Sequence, residues 1–140
     1  MGEEILGIFH GFRITGFLKR WDCKLYFTTD RLIIEKETGL KSRLLGALDY
    51  YLFLNASTRD KLKMNELYNI EQFNNILKSN EENFEINYSD IKVVELVGGN
   101  EIRIFIEDLD VSKYKFNISI KHRYEEDFQT FLNTILPDKT

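Results

Sequence analysis

At 140 residues the chain is the size of one ordinary domain, able to bury about 70% of the surface that its unfolded form exposes. With 23 acidic against 19 basic residues, a formal charge of -4, it lacks the positive field that draws proteins to nucleic acid, and that partner is excluded. No apolar run approaches the roughly 20 residues needed to span a bilayer, so a transmembrane helix is excluded as well.

The N-terminus, Met1-Gly2-Glu3-Glu4, has neither the basic start nor the apolar stretch of a secretion signal. A single cysteine, Cys23, cannot form an internal disulfide, so the setting expected is reducing and cytoplasmic. In that setting the glycosylation sequons at Asn55, Asn87 and Asn117 are chance matches. The composition, 11 Phe and 7 Tyr against one Pro, suits half-buried strands.

The opening run from Ile5 to Ile14 places Leu6, Ile8, His10, Phe12 and Ile14 on one face and Gly7 and Gly11 on the other. Glycines there allow the bend or bulge that closing a barrel requires. A loop over about Thr15 to Arg20 follows. From Trp21 to Phe27, Trp21, Cys23, Leu25 and Phe27 alternate with Asp22, Lys24 and Tyr26, the period of a half-buried strand. Asp30 marks a tight turn into a third strand, Arg31 to Glu37.

Between about Leu40 and Asn83 the strand pattern breaks, and two helices are predicted as an insertion between the third and fourth strands. The first, about Ser42 to Leu54, carries Leu44, Leu45, Leu48, Tyr51 and Leu52 on one arc and Ala47, Tyr50, Phe53 and Leu54 on the other side, so it needs cover on more than one face. The second, about Glu66 to Lys78, gathers Leu67, Ile70, Phe73 and Leu77 on one stripe.

Strand alternation resumes at Phe84, Ile86 and Tyr88. The pair Gly98-Gly99 before Asn100 separates the run Ile91 to Val97 from a strand with Ile102, Ile104 and Ile106 inward, which predicts an antiparallel hairpin. Tyr114, Phe116, Ile118 and Ile120 alternate with Lys115, Asn117, Ser119 and Lys121. From Arg123 to Leu136 the period becomes helical, with Tyr124, Phe128, Phe131, Leu132 and Ile135 on one side. Acidic residues in its first turn suit the helix dipole, and Pro137 stops it. The fold class is therefore α+β, mainly antiparallel β: one domain over residues 1–140, with seven strands, a helical insertion at about 40–83 and a terminal helix capping the barrel.

Two stretches, Leu25-Tyr26-Phe27-Thr28-Thr29-Asp30-Arg31-Leu32-Ile33-Ile34 and Tyr88-Ser89-Asp90-Ile91-Lys92-Val93-Val94, taken with the order of elements, resemble the PH-like superfold in its bacterial and archaeal PH or GRAM-type form. The resemblance covers about 95 residues and implies a seven-stranded barrel. It implies no single activity, because such barrels host lipid binders, peptide binders and structural modules. For the lipid binders it points to basic residues around the loop between strands one and two, here Lys19 and Arg20, with Lys24 on the next strand. The spaced Lys and Arg signature of strong phosphoinositide binders is not evident, and the inserted helices have no counterpart in the minimal module.

Chemistry-bearing residues are sparse. Cys23 alternates with core positions and reads as a small hydrophobe. His10 shares an apolar face, and His122 falls at a strand-to-helix junction. Two histidines and one cysteine at long, irregular gaps match no zinc spacing, so neither a metal nor a cofactor is expected. No phosphate-binding loop, dinucleotide fingerprint or nucleophile elbow occurs, so the chain is not expected to be an enzyme.

Two surfaces remain. Lys19, Arg20 and Lys24 beside Trp21 suit an anionic lipid headgroup. Leu44, Leu48, Tyr51, Phe53 and Leu54 suit burial in the chain, a self-association surface or a membrane interface. The function expected is a binding or interaction module with a protein partner or a second copy of itself, a homodimer included. The alternative is peripheral binding to an anionic membrane.

Overall fold

The computed structural model describes residues 2–17, 19–37, 57–98, 100–106, 112–118 and 125–140, and the backbone alone of Tyr51–Leu52. The strands are β1 (Ile5–Gly16), β2 (Lys19–Thr28), β3 (Arg31–Lys36), β4 (Tyr51–Leu52), β5 (Phe84–Asn87), β6 (Val93–Val97), β7 (Glu101–Phe105) and β8 (Tyr114–Ile118). The helices are α1 (Thr58–Leu67), α2 (Ile70–Ser79) and α3 (Glu125–Ile135). Every strand pairing is antiparallel. The path runs β5-β3-β2-β1-β8-β7-β6, with the two-residue β4 added to β1 off that path. Seven strands thus make one curled, open half-barrel, PH-like in outline.

The long β1–β2 hairpin is the spine. Ten register pairs run from Ile5↔Thr28 to Gly16↔Lys19, with irregularities between Ile5 and Gly7 and between Ile14 and Gly16. The first irregularity shifts which residues face inward, so Phe9, not Ile8, enters the main core. Phe9, Cys23, Leu25, Phe27, Leu32, Ile34, Ile86, Ile102, Ile104, Phe116 and Ile118 fill the concave side. Phe128, Phe131 and Leu132 of α3 plug it, and Phe9 meets Phe128 at 4.9 Å and Phe131 at 5.5 Å, edge to face.

The convex side is buried too. Ile5, Ile8, Tyr26 and Ile33 form a second cluster under Phe73 of α2, with Met64, Tyr68, Ile76 and Leu77 packed around it. Tyr26, on the polar side of the sequence alternation, is 2% exposed because this helical pair covers it, and its hydroxyl donates to Glu35 at 2.7 Å. Burial first, then the Glu35 charge, pushes the Tyr26 phenol above its ordinary value.

Among the described residues the insertion contains two helices; α2 covers most of the second predicted helix, and α1 begins before it. Ser57 caps α1 by accepting from the Asp60 amide, and Asn69 caps α2 by accepting from the Gln72 amide. The predicted single helix over Glu66 to Lys78 is therefore divided at Tyr68–Asn69, where Asn69 takes an extended backbone that starts a new helix. Within the helix predicted over Ser42 to Leu54, Tyr51–Leu52 is instead extended and pairs with Ile8 and Gly7 of β1. Such a pairing satisfies backbone groups at a sheet edge that a helix would leave open. Leu44, Leu48, Phe53 and Leu54 lie outside the described residues, as does the Tyr51 side chain. Tyr88, predicted in a strand, starts a short 3-10 turn, Tyr88–Asp90.

The start of the chain is tied down by charge. Arg31 donates to both carboxylate oxygens of Glu3, at 2.8 and 2.9 Å, and also pairs with Glu85 and Asn74. The Glu3 side chain is 3% exposed, so this ion pair is shielded from solvent. Asn83 joins the far end of α2 to the sheet, accepting from the Lys36 amide at 2.7 Å and donating to the Ile76 carbonyl at 2.8 Å.

Candidate functional site

The ends of β1, β2, β3, β5 and β8 converge on a cluster of rings at one end of the half-barrel. Arg13 lies on the inward side of β1, four residues beyond Phe9, and Trp21 is its register partner on β2. Its guanidinium carbon lies 4.7 Å from the centre of the Phe84 ring, 5.3 Å from Tyr114 and 5.6 Å from Trp21. Phe84 and Tyr114 stack at 5.1 Å across the seam between β5 and β8. A cation over a ring face gains about 0.5–1 kcal/mol where water still reaches it.

Two further cations use the same rings. Lys36 Nζ is 5.5 Å from the centre of Trp21, and Lys113 Nζ is 6.0 Å from that of Tyr114. Lys36 also has Glu82 at 3.5 Å. Among the described residues no carboxylate pairs with Arg13, and its buried Nε has no hydrogen-bond partner. Ring faces have thus gathered three cations, of which Lys36 also has a carboxylate within reach.

Just beyond this cluster is the β1–β2 turn, tighter than the predicted loop because pairing continues through Ile14↔Arg20 to Gly16↔Lys19. Phe17 at its tip is 92% exposed, and Lys19 and Arg20 beside it are exposed. Arg20 rests its guanidinium 4.8 Å from the Phe12 ring. Lys24 does not join them. Its ammonium lies 5.3 Å from Tyr26 and 5.8 Å from Tyr68, on the convex side near the α1–α2 junction. Of the three basic residues singled out in the sequence, two therefore share the hairpin tip and one serves the helical cover.

Sequence reasoning missed Arg13, Phe17, Lys36 and Lys113. A signal existed for Phe17, a large apolar residue in a turn; Arg13 falls opposite the apolar face of the opening alternation, and only the irregularity near Ile5 turns it inward. Lys36 and Lys113 are brought together only by the sheet's curl.

A cleft of about 530 Å³ opens beside the Phe84–Tyr114 stack, lined by Glu85, Ile86, Asp90, Lys92, Ile106 and Lys113. It marks the gap between the two ends of the sheet path.

The remaining reactive side chains are buried. Burial, reinforced by the Glu37 and Asp22 charges, pushes the Cys23 thiol up to about 12, so at neutral pH it stays protonated and unreactive. His10, 6% exposed, sits with Nδ1 2.7 Å from Glu37 Oε1. His122 lies outside the described residues. Among the described residues no three of His, Cys, Asp and Glu gather to hold a metal ion, and no helix is long and apolar enough to cross a membrane. The exposed large apolar residues elsewhere are Leu62 and Leu67 on α1, Ile70 on α2 and Val97 on β6. No protein-family model, curated protein or solved structure matches this chain.

Proposed function

We propose that the chain is a non-catalytic PH- or GRAM-type binding module that docks peripherally on anionic membrane surfaces through the ring-lined end of its half-barrel. The observation that carries this reading is Phe17, 92% exposed at the hairpin tip with Lys19 and Arg20 exposed beside it. An apolar wedge beside two cations can enter the interfacial layer while the cations meet phosphate. Arg13, Lys36 and Lys113 behind the tip extend the positive field toward the same side.

Basic residues near an anionic surface contribute about 1 kcal/mol each. Co-sedimentation with phosphatidylserine-containing vesicles at low salt is therefore expected to show binding that weakens roughly thirtyfold in a Lys19→Ala, Arg20→Ala double variant. Binding should also fall as salt rises, because screening shortens the reach of these charges. A chain that stays in the supernatant with anionic vesicles at low salt would discard the reading.

Leu62, Leu67 and Ile70, at 62, 64 and 57% exposure, favour a second reading in which the inserted helices carry a protein partner or a second copy. On that reading sedimentation velocity shows concentration-dependent association that a Leu67→Glu substitution weakens. Association unaffected by that change, or a monomer at all concentrations, removes the self-associating version.

A further inference from the structure

We infer that the outer edge of β6 is a strand-addition surface fitted to a second copy of this chain, and that the turn following α3 guards it. β6 ends the sheet path, with β7 on one side and no strand on the other among the described residues. Val94 sends its amide away from β7 and donates it to the Lys139 carbonyl at 2.8 Å. Pairing groups alternate along an antiparallel strand, so the Leu96 amide faces the same open side.

The guard is a compact turn. Lys139 donates its own amide to the Leu136 carbonyl at 3.1 Å, the Thr140 hydroxyl donates to that carbonyl at 3.3 Å, and Leu136, 4% exposed, anchors the turn in the core.

The strand behind the guard has none of the features that keep edges apart. Val93, Val94, Leu96 and Val97 are apolar, and proline and lysine are absent from it. Its one charge, Glu95, stands opposite Arg103 in the ladder, whose guanidinium pairs with Glu101. A second copy fits antiparallel about Leu96, which places Glu95 opposite Val97 of the other copy and leaves no like charges face to face. The resulting contact is isologous and closed.

Sedimentation velocity tests this on the full chain and on a variant lacking Asp138, Lys139 and Thr140. The shortened chain is expected to dimerise at a roughly tenfold lower concentration, because the amide of Val94 is freed for pairing. Val97→Glu added to the shortened chain, which sets like charges opposite each other twice across the two-fold, should restore the monomer, whereas Leu67→Glu should not. If circular dichroism shows that the shortened chain has not folded, Lys139→Pro, which removes the amide that closes the turn onto Leu136 and fixes the backbone φ there, is read in its place. A folded shortened chain, or Lys139→Pro chain, that is no more associated than the full chain overturns the inference. Association that responds to Leu67→Glu and not to Val97→Glu overturns it equally.

Discussion

Replacing Gly11 with alanine is expected to lower stability by about 3 kcal/mol or more, the largest loss for the smallest change in this chain. A Cβ at this position would lie on the carbonyl oxygen of Asn117, 3.0 Å from the carbonyl carbon and 3.1 Å from Ile118 Cα. All three are backbone atoms, so no rotamer change relieves the clash. β1 would have to part from β8, and among the described residues three register pairs join them: Gly11↔Ile118, Phe12↔Asn117 and Arg13↔Phe116. That junction links the two halves of the sheet path, so its loss uncouples β6, β7 and β8 from the rest. Gly16→Ala is the control, since its nearest neighbour would be a flexible Lys19 carbon at 3.9 Å. Thermal unfolding should separate the two variants clearly, and equal midpoints would remove the close-approach argument.

Phe9→Ala is expected to cost about 3–5 kcal/mol, measured as a lower urea midpoint with the slope unchanged. Phe9 is fully buried and touches Phe27, Phe128 and Phe131 edge to face, at 5.6, 4.9 and 5.5 Å. It is therefore where the spine hairpin meets α3. Removing the ring leaves a cavity between sheet and helix that rigid strands on one side cannot collapse to fill. A loss below about 1 kcal/mol would mean that α3 moves in to close the gap, and that the plug is not held in one position.

Local periodicity made the central strands and the terminal helix legible before any coordinates. Cys23, Leu25 and Phe27 face inward as their alternation requires, Gly98 takes the positive φ that the β6–β7 turn needs, and Phe128, Phe131 and Leu132 share one helix face. Three features depended on distance instead. The bulge near Ile5 moved Phe9 into the core, and a period-two reading cannot register an inserted residue. Tyr26 is buried because α2, more than forty residues further on, lies over it. At Tyr51–Leu52 an apolar stretch with helical spacing met a vacant edge of β1, and the sheet's demand for a partner outweighed local preference.

The candidate site was legible in part. Lys19 and Arg20 stand at the hairpin tip, as expected from their place between two strong alternations. Lys24 sits further along the same strand, away from the tip, where rings from β2 and the α1–α2 junction hold its ammonium. The gathering of Arg13, Lys36 and Lys113 on Trp21, Phe84 and Tyr114 joins residues up to a hundred positions apart, and only sheet curvature creates it.

The insertion cannot be an ornament that evolution or an engineer could trim away. Ile5, Ile8, Tyr26 and Ile33 form an oily outer wall whose roof is Phe73 with its neighbours on α2, and that roof comes from the very segment a minimal barrel would omit. Excising it would turn the back of the barrel into a water-facing apolar sheet, prone to clumping before any loop could act.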